Sequence, residues 1–162
     1  MLTFDQGNSR FNYRVAGVAI DDGHVLIHRA ESETFWTLPG GRVEMGEASE
    51  DSLRREMREE IGVDVVVERL LWIVENFFDY AGKQCHELAF YYLMRIPAGR
   101  LRADGERFYG LEEFYEGEPV VKLHFQWTAL DRLGELELYP SFLTERLGSL
   151  PGGVEHLVHV DG

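Results

Sequence analysis

The chain has 162 residues, 44% of them apolar, and carries a formal net charge of −13 at pH 7. That length suits one domain with its own core and leaves no room for a second, so residues 1–162 are expected to form a single unit. The acidic balance argues against a polyanionic polymer as partner, since such binding rests on Lys and Arg contacts to phosphates, but it allows a small phosphorylated ligand escorted by metal.

Phe11 to Ile20 is rich in aromatic and β-branched residues, Asp21-Asp22-Gly23 is a turn signal, and His24 to His28 continues as a second strand, which together predict a hairpin. Arg29 closes that strand. His24 and His28 have no partners at metal-binding spacing and read as polar strand positions. Ser32 to Phe35 is a loop in which Phe35 is either a base-stacking residue or an anchor, and Trp36 reads as core. Pro39-Gly40-Gly41 cannot be helix interior; its glycines let backbone approach a ligand or ion closely, although a plain turn explains them too.

Ser49 to Ile61 scans as a helix: Leu53, Met57 and Ile61 recur every four residues, Glu50 and Asp51 sit in the first turn where the dipole favours anions, and Gly62 supplies a stop. The helical period puts Glu56, Glu59 and Glu60 on one face beside the apolar stripe. Such like charges cost roughly 0.2–0.5 kcal/mol per pair. Two readings follow: a solvated acidic face, the commoner origin of such runs, or a holder for a hard divalent cation. Arg55, one turn before Glu59, is placed to orient that carboxylate, whereas Arg54 and Arg58 point away from the acidic face.

Beyond the helix, Val65 to Phe78 reads as a strand, Asp79 to Lys83 as a turn, and Cys85 to Ile96 as a long returning strand whose LAFYYLM run suggests burial on both faces. Pro97 to Gly110 reads as a loop. Val120 to Leu130 alternates polar and apolar residues as a strand does, and Leu130 to Leu133 starts a short turn. Tyr139-Pro140-Ser141 opens a last helix through Leu147, and Val154 to Val160 adds a short edge strand. A mixed sheet with the long helix on one face and the last helix on the other is an α/β sandwich of layers.

Spacing then favours the metal reading of the helix. Gly41, five residues, Glu47, seven residues, Arg55-Glu56, an aliphatic Met57, one residue, Glu59-Glu60, one residue, Gly62 and an aliphatic Val63 match the Nudix box without a gap or substitution. The chain therefore resembles a MutT-like Nudix hydrolase, and Trp36 to Gly41 is similar to that family's usual lead-in. The resemblance implies a Nudix α/β/α sandwich with a mixed central sheet, and metal-dependent hydrolysis of a nucleoside diphosphate linked to some other group X, by attack of water on phosphorus. It also implies Mg²⁺, with Mn²⁺ as a substitute, held by Glu56, Glu59, Glu60 and the Gly40 carbonyl. Glu47 would lie near Arg55 and help arrange the helix glutamates, with Glu44 a weaker candidate. Arg29 would face phosphate. Glu87 stands where some relatives carry a further acidic group that binds metal or activates water, and an exposed strand charge is the alternative. The general base stays open between Glu56, Glu59 and Glu87.

Tyr80 lies 17 residues beyond Val63, where relatives acting on dinucleoside polyphosphates often have a tyrosine. A nucleoside triphosphate or a nucleotide sugar is an equal alternative, and the position typical of a proline in ADP-ribose pyrophosphatases holds Phe78 or Asp79 instead. A non-catalytic nucleotide-sensing domain is the competing function, but such regulators usually have a degraded box, and this one is intact. Cys85 is the only cysteine, the amino terminus lacks the basic and apolar regions of a signal peptide, and no apolar stretch approaches the ~20 residues needed to span a bilayer. The expected setting is cytoplasmic, with a small nucleotide as partner, no nucleic-acid polymer, no membrane, and an open oligomeric state that includes a homodimer.

Overall fold

The computed structural model describes residues 1–97, 107–112 and 120–161. Its centre is a mixed sheet of β1 (Thr3–Gln6), β2 (Ser9–Val18), β7 (Lys83–Arg95), β6 (Val66–Tyr80) and β10 (Glu155–Asp161) in that order, with the short β5 (Gly40–Arg42) also paired to β2. A second, antiparallel sheet runs β3 (Ile20–Asp21), β4 (His24–Ala30), β9 (Val121–Ala129) and β8 (Arg107–Glu112). The strands β2 and β7 are parallel, as are β6 and β10, while β6 and β7 form a long antiparallel hairpin.

The long helix, α1 (Ser49–Ile61), has the predicted bounds. Gly62 ends it at φ 67°, a left-handed conformation that glycine adopts cheaply, and its N–H reaches the carbonyls of Arg58 and Met57. Leu53 and Met57 are fully buried with Val15, Leu26, Tyr92 and Phe125, so the apolar stripe of α1 fills the space where the two sheets meet. A separate core on the other face of the central sheet joins Ala16, Val74, Ala89 and Tyr91 to Leu133, Leu143 and Leu147. The first of these leucines comes from a 3-10 segment (Leu130–Glu135) and the second from α2 (Leu143–Arg146), which supply the third layer.

Four expectations need correction. The run from Phe11 to Ile20 is not one hairpin arm: β2 ends at Val18 in the central sheet and the chain crosses into the second sheet, leaving β3 to pair with β4 over only two residues. Both segments have strand character, but alternation does not say which sheet a strand joins. The turn between β6 and β7 is tighter than five residues, with Ala81 and Gly82 at φ 52° and 78°, so Tyr80 and Lys83 are paired strand ends. Arg107 to Gly110, expected in a loop, belong to β8, and the rest of that loop, residues 98–106, lies outside the described residues. The last helix spans four residues instead of running from Tyr139 to Leu147.

Candidate active site

Strand β5 lies so close to β2 at Gly40 and to helix α1 at Gly41 that only glycine fits at either contact. A Cβ on Gly40 would stand 2.0 Å from the Val15 carbonyl oxygen, and one on Gly41 would stand 2.3 Å from the Glu56 carboxyl carbon. Glu56 is thereby buried against bare backbone, and burial raises its pKa above the ordinary carboxylate value against the opposing pull of Arg55. A cation beside such a carboxylate favours its charged form.

The cation in place is Arg55. Its guanidinium donates from Nε and Nη2 to the two oxygens of Glu47 at 2.8 and 3.1 Å, and from Nη1 to Glu56 Oε1 at 3.0 Å and Glu59 Oε2 at 3.1 Å. Nη2 also reaches the Arg42 carbonyl at 3.3 Å. The fork holds Glu47 well below the usual carboxylate range and is itself stabilised in its charged form. Arg54 pairs with Glu50 and Asp51 and Arg58 pairs with Asp64, away from this network. Glu44 takes an ion pair with the amino terminus.

Glu60 turns inward. Its Oε2 is 4.0 Å from Nδ1 of His28, and both side chains are nearly inaccessible. The sequence reading of His28 as an ordinary polar strand position is therefore incomplete: burial, with Arg14 nearby, lowers its pKa to about 3, so it is neutral. Among the described residues no three His, Cys, Asp or Glu side chains converge tightly enough to hold a metal. Glu56 and Glu59 are bridged by Arg55 and Glu60 faces His28. The donor set nevertheless suits a hard cation, being all carboxylate oxygen beside a backbone stripped of side chains at Gly40 and Gly41.

The remaining candidates lie further off. Glu87 pairs in register with Asn12 and Asn76, on the face of the central sheet opposite Val15 and α1. Burial raises its pKa, opposed by Arg14, by a hydrogen bond from Asn76 and by Arg42. Arg29 folds back on its own loop, donating to the Glu33 carbonyl at 3.1 Å and lying over the Trp36 ring at 5.3 Å. Phe35 stacks edge-on with Tyr80 at 6.0 Å and Tyr139 at 5.9 Å, and the Tyr80 hydroxyl donates to Glu33 at 2.7 Å. Sequence reasoning missed Arg14 and Arg42, which are direct cross-strand partners in β2 and β5. Arg14 donates to the Leu38 carbonyl at 2.7 Å, and both arginines lie near enough to Glu87 to favour its charged form. The one signal available was an arginine flanking each of two short runs of small or apolar residues, Arg14 before Val15-Ala16-Gly17-Val18 and Arg42 after Gly40-Gly41.

The NUDIX domain model matches residues 11–141. A MutT-like protein of Streptomyces ambofaciens is 44% identical over 63 residues, 38% of this chain and 41% of that protein. An ADP-ribose pyrophosphatase of Methanocaldococcus jannaschii is 25% identical over 124 residues, covering 70% of this chain and 72% of its own. The match spans less than half the length of the first curated relatives, 32% to 45% of each. In three dimensions the chain superposes on an ADP-ribose pyrophosphatase from Streptococcus suis with a TM-score of 0.58 at 19% identity, covering 91% of this chain and 98% of the other. That likeness establishes the shared α/β/α sandwich. Among the described residues no helix is long and apolar enough to cross a membrane.

Proposed function

Because the chain belongs to the NUDIX family, whose members generally use divalent metals, we propose that it hydrolyses a pyrophosphate bond in a nucleoside diphosphate linked to a second group. The observation that carries this reading is the Glu47–Arg55–Glu56–Glu59 network beside Gly41. Glu56, Glu59 and Glu60 would hold Mg²⁺, or Mn²⁺ in its place, with the Gly40 carbonyl. When bound, the ion neutralises diphosphate oxygens and acidifies water. Arg55 holds the carboxylates in register, and its planar fork spans Glu47 on one side and two helix glutamates on the other. Arg14, Arg29 and Arg42 would receive the phosphates, and Phe35 and Tyr80 would flank the nucleoside.

The proton of the attacking water goes to one of Glu56, Glu59 and Glu87. The raised pKa values of Glu56 and Glu87 bring them closer to working pH, where a general base is most effective. The substrate is a small nucleotide: a dinucleoside polyphosphate, a nucleoside triphosphate or a nucleotide sugar. The setting is the cytoplasm. A panel of these compounds together with ADP-ribose, assayed with Mg²⁺ and read by phosphate-containing products, tests the reading. Binding without turnover of any member would replace it with a nucleotide sensor.

A further inference from the structure

A row of polar side chains crosses the central sheet on the face that carries Arg14. Register aligns Thr3, Asn12, Glu87, Asn76 and His159, one residue from each of β1, β2, β7, β6 and β10. The middle of the row is buried, with Asn12 at 5%, Glu87 at 8% and Asn76 at 3% exposure. Thr3 donates to Asn12 Oδ1 at 2.7 Å and Asn76 donates to Glu87, yet Asn76 Oδ1 has no hydrogen-bond partner among the described residues. A buried acceptor left unmet is costly, and it calls for a donor from outside the chain.

What flanks the row on the same face points to the donor. In one direction alternate residues of β6 lead from Asn76 through Phe78 to Tyr80, whose ring meets Phe35, and Phe35 in turn meets Tyr139. In the other direction the next row holds Arg14 and its cross-strand partner Arg42, and the row after that holds Gly40 opposite Ala16. Rings, acceptors and cations therefore follow one another along the strands, in rows about 6.6 Å apart. A nucleotide has the same order: base, sugar, phosphate. Its two ribose hydroxyls are adjacent donors of the kind that a carboxylate and an amide oxygen accept, and a carboxylate plays this part for ribose in dinucleotide-binding folds. A base set against the acceptors would leave the rings beyond it with nothing to stack on.

We propose that Asn76 and Glu87 accept the 2′- and 3′-hydroxyls of the nucleoside ribose, so that the substrate is a ribonucleotide and its deoxy counterpart is discriminated against. The assignment rests on the pyrophosphohydrolase reading given above and removes Glu87 from the candidate general bases. Asn12, on the other side of Glu87 and itself held by Thr3, is a positioning residue.

The common nucleoside triphosphates, each in ribo, 2′-deoxy and 3′-deoxy form, test the proposal by isothermal titration calorimetry and by steady-state kinetics with Mg²⁺. Loss of either hydroxyl should weaken binding and lower kcat/KM by about 10-fold, the value of one hydrogen bond to a charged or buried acceptor. Asn76→Ala should bring the ribo and 2′-deoxy forms to nearly equal affinity, and Glu87→Gln should narrow the same ratio. A general base at Glu87 would instead lower kcat on every form alike and leave the ratio untouched. That result, equal affinity of the wild type for ribo and deoxy forms, or binding of neither would overturn the proposal. Calorimetry reads the ratio without turnover, so selective binding of ribonucleotides with no hydrolysis would refute the hydrolase reading and still support the ribose contact.

Discussion

The Glu56 carboxylate fills the volume that a side chain at Gly41 would take, with a Cβ there only 2.3 Å from the carboxyl carbon. The glycine is thus required by a close approach, because the carboxylate cannot retreat into the buried stripe of Leu53 and Met57. Gly41→Ala should lower turnover on the order of 10²-fold by displacing Glu56, at a cost of roughly 1–3 kcal/mol in stability from overpacking. Steady-state kinetics and a urea midpoint read the two effects, and normal turnover would separate Glu56 from catalysis.

Replacing Arg55 by Lys keeps the charge and removes the fork. An ammonium cannot serve Glu47, Glu56 and Glu59 together, so kcat should fall by about 10- to 10²-fold while the protein stays folded. Glu59→Gln or Glu60→Gln should cost on the order of 10²- to 10⁴-fold. Full activity in the lysine variant would reduce Arg55 to a surface charge.

Glu87 makes a pH prediction. Its folded pKa lies above the unfolded value of 4.5, with burial the main cause. The folded state therefore holds the proton more tightly, and the stability this confers is complete below pH 4.5 and is lost as pH rises through the folded pKa. Glu87→Gln should raise the thermal midpoint relative to wild type at neutral pH, with the gap closing below that window. A gap that widens on acidification would reverse the sign and the assignment.

Mg²⁺ should stabilise the native chain. Ion at 100 times its dissociation constant adds about 2.7 kcal/mol, and about 1 kcal/mol moves the midpoint by roughly 2–4 °C in a domain of this size, so a rise of a few degrees is expected. Na⁺ at matched ionic strength and a Glu56→Gln, Glu60→Gln variant are the controls. An equal rise in either control would assign the effect to screening.

Tyr80→Ala removes both the ring against Phe35 and the hydroxyl that reaches Glu33. It should change the ranking of dinucleoside polyphosphates against nucleoside triphosphates more than the rate on the best substrate. An unaltered ranking in competition assays would take Tyr80 out of the pocket.

Local order was legible in the chain itself. The four-residue recurrence of Leu53, Met57 and Ile61 with Gly62 behind it set both ends of α1, because a helix is built from contacts three and four residues apart. Alternation likewise located β9, and the spacing from Gly41 to Val63 pointed to the carboxylates and their arginine. What tertiary structure alone decided were relations between distant segments. It put Glu60 against a neutral His28, Arg14 opposite Arg42, and Glu87 on the sheet face away from α1. It also sent the residues after Val18 into a second sheet and cut the last helix to one turn. A two-residue period says which side chains share a face but not which strand lies beside them, and that choice belongs to the packing of the whole core.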